Sequence, residues 1–312
     1  MTGSPSDVMS TSVPRSRSRA DDGFIIVAVL WILGALAVLA SIYAIYVTNT
    51  AVSLGVNDNR LQAEALVTAG LELTAYQLLA EKEDSRPTRG AFRFRIGRAA
   101  VAVNFLNEAA RIDLNMAPKE LLAGLFAGLG APPDAAQYYA DRIVGWRTKG
   151  DAEGGEAETA SYRLAGLSYG PRRSPFANVG ELWLVLGLPR ELVERALPFL
   201  TVYSGSPNID VMDAAPEVVA AVPGMSADRL YAILGQRGPG AANTKIVEGL
   251  LGSPEGGEES GGRRGSKATR VALSIVFDNG RRVGAEAVIL PLDDADVPYR
   301  VLSWQDDFDG PA

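Results

Sequence analysis

From Phe24 to Val47 the sequence FIIVAVLWILGALAVLASIYAIYV contains no charged residue. A helix rises about 1.5 Å per residue, so this run matches a hydrocarbon core roughly 30 Å thick and reads as a transmembrane helix. Residues 1 to 20 are rich in Ser, Thr and Pro and carry Arg15, Arg17 and Arg19, a basic leader with no fold expected of it. The positive-inside rule leaves that leader in the cytoplasm and sends everything after Val47 to the far side of the membrane, into the periplasm. The run exceeds the apolar core of an ordinary secretory signal, which is about 7–15 residues long. Composition alone fits a plain signal anchor equally well.

The junction Gly23-Phe24 joins a charged leader to an aromatic first apolar residue. It resembles the site of a type IV prepilin peptidase, which cuts at the cytoplasmic edge between Gly and a hydrophobic residue and leaves the membrane helix on the mature protein. Asp21 and Asp22 stand where that family usually has a basic residue. Beyond the membrane, Leu61, Ala65, Ala69, Leu73, Tyr76 and Leu79 recur at three- or four-residue intervals. Their spacing predicts an amphipathic continuation of the helix to about Lys82, with that row facing a globular domain.

If Phe24 is the first mature residue, the fifth is Ala28. Most pilins and pseudopilins carry Glu there, and its carboxylate meets the N-terminal ammonium of a neighbouring subunit. An unpaired charge at membrane depth costs roughly 2.5–3.5 kcal/mol, so Glu implies a partner and Ala implies none on that side. A subunit of this kind suits the end of a filament better than its length. The plainer reading is that Ala28 is one more apolar membrane residue.

The chain of 312 residues has neither Cys nor His. Thiol nucleophiles, imidazole bases, the common zinc ligand sets and Ser-His-Asp hydrolysis are therefore closed to it. A formal charge of −7 provides no net positive field for nucleic acid. No catalytic residue is expected.

Past a turn at Asp84-Ser85-Arg86-Pro87, residues 91 to 106 alternate apolar and polar around Gly97, as a β-hairpin does. An internal repeat follows: IDLNMAPKELLAGL from Ile112 aligns without a gap on IDVMDAAPEVVAAV from Ile209. Each copy runs on through a helix-breaking loop into a second helix, ending at Arg147 and Arg237. Asn115 and Asp213 are the expected polar caps of the first helix in each copy. The unit resembles helix-hairpin-helix and SAM-like modules, many of which bind DNA. A membrane-anchored DNA receptor of a competence or pilus system is thus the alternative to an assembly role, although neither loop holds a full Gly-x-Gly turn. Residues 253 to 267 read as a flexible linker, and ATRVALSIVFDNGRRVGAEAVILPL alternates on both sides of Asp278-Asn279-Gly280, a strong hairpin signal. Tyr299 to Trp304 fits a last edge strand.

This order of parts resembles the K component of the type II (general) secretion pathway, the large minor pseudopilin. The residues that carry the resemblance are Gly23-Phe24 with Ala28, IDLNMAP at 112–118, Trp146, AETASY at 157–162, PFANVGELWLVLGL at 175–188, PFLTVYS at 198–204 and IDVMDAAPEVVAAVPGMS at 209–226. The resemblance implies an α+β fold: a pilin-like long N-terminal helix and antiparallel sheet, interrupted by a large all-α insertion that holds both repeats. The expected division is leader 1–23, membrane helix 24–47, amphipathic helix and first strands 48–111, helical domains 112–205 and 206–252, linker 253–267 and C-terminal strands 268–312.

The resemblance further implies a single-pass protein of the bacterial inner membrane, processed by prepilin peptidase. Its implied partners are the I and J minor pseudopilins at the pseudopilus tip and the major pseudopilin, with no nucleic acid. It also suggests calcium. The residues that carry over are the acidic neighbourhood of Asp151, Glu153, Glu156 and Glu158, where Thr148 and Lys149 replace the usual acidic residues after the Trp. Without the resemblance, that run reads as a solvated acidic loop and lacks EF-hand spacing.

Overall fold

The structure, a computed structural model, describes residues 20–149, 155–237, 266–294 and 296–308. The leader before Ala20, Asp151, Glu153 and most of the expected linker lie outside the described residues. The chain divides into two compact units, one up to Leu61 and one from Gln62 onward, and each is described by itself.

Helix α1 spans Ala20–Leu79. It begins inside the expected leader, so Gly23 and Phe24 have helical backbone, and it ends short of Lys82. In the first unit, Ile25–Val47 forms a 23-residue apolar segment long enough to cross a bilayer.

The second unit is built on a five-stranded antiparallel sheet in the order β1-β2-β5-β6-β7. Its strands are β1 (Arg89–Ile96), β2 (Ala99–Asn107), β5 (Thr269–Val276), β6 (Arg282–Pro291) and β7 (Tyr299–Asp306). Both expected hairpins form. Gly280 sits at φ +84°, a conformation that L side chains resist, and Asn279 Oδ1 accepts the Arg281 N–H at 3.0 Å, which closes the turn between β5 and β6.

The distal part of α1 lies on one face of this sheet. Ala63, Leu66, Val67, Leu71, Ala75 and Leu78 pack on Val101, Val103, Leu273 and Ile275, all buried. Each large aliphatic side chain withdrawn from water in this way contributes about 1.5–3 kcal/mol. This corrects the sequence expectation: the buried row is not Leu61, Ala65, Ala69, Leu73, Tyr76 and Leu79 but the row beside it. Two apolar rows run along the helix, and Gly70 marks the one that packs, because a Cβ there would come within 2.3 Å of Leu273 Cδ2.

Between the neighbouring strands β2 and β5 the chain leaves for a helical insertion. Its elements are β3 (Ile112–Asp113), α2 (Lys119–Gly128), α3 (Pro133–Arg147), α4 (Gly155–Leu164), α5 (Arg190–Ala196), β4 (Leu200–Thr201), α6 (Pro216–Ala220) and α7 (Ala227–Gly235). β3 and β4 pair in parallel. The insertion has its own apolar core around Leu122, Phe126, Ile143, Tyr162, Leu182 and Val219. Entry and exit are clasped together: Asn107 Nδ2 donates to the Ser266 carbonyl at 2.7 Å, and the Glu108 N–H to the Ala268 carbonyl at 3.0 Å.

The two copies of the repeat share a hydrogen-bond pattern. Asp113 Oδ1 accepts the Asn115 N–H at 2.8 Å, and Asp210 Oδ1 accepts the Met212 N–H at 2.9 Å. The Asp113 carbonyl accepts from Ala117 and the Asp210 carbonyl from Ala214. These aspartate turns occupy the place where side-chain caps were expected. Helices α2 and α6 instead begin after Pro118 and Ala215, with no side-chain cap. Asn115 is held by Phe176, accepting its N–H at 2.6 Å and donating to its carbonyl at 3.0 Å. Asp213 lies 3.3 Å from Arg89 Nε. The copies meet where Gly124 of α2 faces the Ala221 carbonyl, which a Cβ there would approach to 2.1 Å.

Candidate functional site

The N-terminal elements of an assembly role are all on α1. Gly23 and Phe24 adjoin the apolar segment and Ala28 lies within it. From Gln62 onward, the row of α1 turned away from the sheet holds Ala65, Ala69, Leu73 and Tyr76, at spacings that stack them along one side. Leu73 is 40% exposed and Tyr76 74% exposed. Large apolar side chains repeating along a helix, left uncovered by the described residues, form a surface suited to a second helix.

In the insertion, Trp146 closes α3 in an aromatic cluster, its ring 6.0 Å from those of Tyr162 and Phe176. Its indole N–H donates to Glu181 Oε2 at 3.3 Å, while Glu181 Oε1 takes Arg172 and the Ala177 N–H. The Tyr162 hydroxyl accepts the Leu186 N–H at 2.8 Å. Burial pushes its pKa up to about 12, with the nearby Glu158 charge adding to the effect. These contacts tie together three of the segments that carry the resemblance, 146, 157–162 and 175–188. They are structural: each polar tip is matched to a partner in an apolar setting.

Of the four acidic residues singled out for calcium, Glu156 and Glu158 are in α4. Two positions apart on a helix, they do not share a face. Glu156 is exposed. Glu158 turns onto α3, where its Oε2 accepts from Arg142 at 2.8 Å and, among the described residues, its buried Oε1 has no hydrogen-bond partner. Among the described residues no three acidic side chains converge as a metal cluster. The described residues thus offer calcium one orphaned carboxylate oxygen and do not by themselves fit it.

One group of residues gave no sequence signal. Glu108, fully buried, accepts from Arg270 Nε at 2.7 Å and Nη2 at 3.2 Å, and from the Thr201 hydroxyl. Arg270 also reaches Glu286. Burial alone would lower the Arg270 pKa, but the hydrogen bond and charge of Glu108 outweigh it and raise it. The group joins β5 and β6 to the end of β2 and to β4 of the insertion. A charge at a strand end looks solvent-facing in a sequence, and only the returning chain reveals that it is covered.

Residues 102–205 match the family described as type II secretion system, protein K. No curated protein matches the sequence. Among solved structures, the chain is similar to a chain in the crystal structure of the GspK-GspI-GspJ complex from the type 2 secretion system of enterotoxigenic Escherichia coli. The TM-score is 0.58 at 16% identity, covering 80% of this chain and 98% of that one. The likeness establishes a shared fold. The match of residues 102–205 and the shared fold together support a type II secretion minor pseudopilin of the K type.

Proposed function

We propose that this chain is the minor pseudopilin that starts or caps the type II secretion pseudopilus, bound at the tip to the I and J minor pseudopilins and standing on the major pseudopilin. Prepilin peptidase cuts between Gly23 and Phe24. The apolar segment then holds the protein in the bacterial inner membrane as a single pass, with its N-terminus cytoplasmic and residues 62–312 periplasmic. Ala28 supplies no membrane carboxylate for a subunit above, which suits an end position. The paired helices α2/α3 and α6/α7, read as SAM-like or helix-hairpin-helix-like repeats, serve as packing modules and not as a DNA clamp. The protein does assembly work and no catalysis.

The observation that carries this reading is the bare row Ala65, Ala69, Leu73 and Tyr76 on a helix whose opposite row is fully packed. The similar E. coli chain is described in a complex with GspI and GspJ. Co-expression with the I and J components tests the reading. A ternary complex should survive purification and be lost on Tyr76→Glu with Leu73→Glu, while the thermal melt of the isolated protein is unchanged. Purification without I and J, or a complex indifferent to both substitutions, would contradict it.

A further inference from the structure

Among the described residues β1 is an edge strand, with β2 on one side and no strand on the other. The Asn107 N–H donates to the Thr88 carbonyl, and the register continues through Gly90 with Phe105 and Phe92 with Val103. In an antiparallel ladder this directs the backbone groups of the even-numbered residues at β2. Those of Ala91, Arg93 and Arg95 point away from the sheet and, among the described residues, are unpaired. The same alternation places Phe92 and Phe94 against the core and sets the side chains of Ala91, Arg93 and Arg95 on the opposite face.

The charges along this row are unevenly matched. At one end Arg89 Nε lies 3.3 Å from Asp213 Oδ1, and just past the other end Arg98 Nε lies 2.7 Å from Asp278 Oδ2. Between them Arg93 and Arg95 are exposed, and among the described residues neither meets a carboxylate. Beside them is a shallow groove of about 480 Å³, floored by Ala100, Ala102, Ser274 and Val276. The small side chains leave space over the sheet, and the two guanidinium groups border it.

We propose that the β1 edge binds an extended acidic segment of a partner protein as an added strand. The outward N–H and C=O groups of Arg93 and Arg95 would pair with its main chain. Carboxylates two residues apart on the added strand repeat at about 6.6–6.8 Å, the spacing of Arg93 and Arg95 themselves, and so meet both guanidinium groups in one register. Asp213 against Arg89 is an internal example of a carboxylate on this row. Backbone pairing supplies the attachment and the two arginines supply the selection for acidic sequence.

The test uses the full chain in detergent micelles and a fluorescein-labelled peptide of alternating glutamate and valine. Controls are the lysine–valine counterpart and the glutamate peptide N-methylated on alternate amides. Only the unmodified glutamate peptide is expected to bind, and the double variant Arg93→Glu/Arg95→Glu should weaken it by at least roughly tenfold. Hydrogen exchange on the unsubstituted protein provides a readout free of any folding effect: the Arg93 and Arg95 amides should slow when the peptide is added. Absence of binding, binding that survives the double substitution, or equal binding of the N-methylated peptide would overturn the proposal. In that event the arginines only guard the edge against pairing with other chains.

Discussion

The guanidinium of Arg147 reaches back across its own helical pair to the Ala117 carbonyl, with Nη2 2.6 Å from the oxygen, and also caps the Leu114 carbonyl. Arg237 does the corresponding work in the second copy, donating to the Val211 carbonyl through Nη2 at 2.6 Å and Nε at 3.1 Å. Val211 is the residue that aligns with Leu114. Burial lowers the pKa of both arginines, which nonetheless stay charged at any physiological pH. Two copies that differ at most side chains have kept one device for holding the second helix to the turn before the first.

Arg147→Ala should therefore destabilise the insertion by about 1–3 kcal/mol, because two inward carbonyls lose their donor. Arg237→Ala releases one carbonyl and should cost less. Urea unfolding of the two variants checks the order. Equal, negligible losses would mean that water replaces both guanidinium groups.

Breaking the Glu108–Arg270 pair should do more damage than either. Removing one partner strands the other charge in a covered site, at a cost of about 3–5 kcal/mol. Glu108→Ala is expected to lower the melting temperature strongly and to loosen the join between sheet and insertion. Faster hydrogen exchange at Thr201 and Thr269 would report that loosening. Replacing Glu108 and Arg270 together by apolar residues should recover part of the loss, since the surviving charge is then gone.

Alkaline pH should weaken the fold through Tyr162. Its folded pKa of about 12 lies above the ordinary value of 10.0. Between those values the unfolded chain releases the phenol proton while the folded one holds it, so stability falls as pH rises from about 10 towards 12 and is full below that window. Tyr162→Phe should flatten this part of the stability profile. It should also cost stability at neutral pH, because the Leu186 N–H loses its acceptor.

Calcium binding at Asp151, Glu153, Glu156 and Glu158 is a separate expectation that rests on the family resemblance, and the described residues add to it only the buried Glu158 oxygen. If calcium binds the folded chain, it should raise the melting temperature by linkage, and Asp151→Asn with Glu153→Gln should abolish the rise. A melt that is identical in calcium and in chelator would remove calcium from the account.

Much of this architecture was legible because local chemistry dictated it. The long apolar helix is declared by its length without charge, and the β5–β6 hairpin by Asn279-Gly280. The helical pairs were marked by breakers at Pro132-Pro133 and Pro223-Gly224. The buried face of α1 was misread, because periodicity finds apolar rows without saying which meets the protein's own core and which is left for another chain. Tyr76 and Leu73 lie on the exposed row, and the better signal was Gly70 on the row that packs. Asn115 and Asp213 were misread as caps because aspartates two and three residues before them, Asp113 and Asp210, already make the turns. The Glu108 group was invisible for a different reason, since its partners Thr201, Arg270 and Glu286 are far away in sequence and only the closed fold brings them together.

Processing of this chain as a pseudopilin can be read from intact mass and N-terminal sequencing of the protein from membranes with and without a prepilin peptidase. The account predicts an N-terminus at Phe24 that appears only with the peptidase. A Met1 start under both conditions would contradict it and leave a plain signal-anchored periplasmic domain.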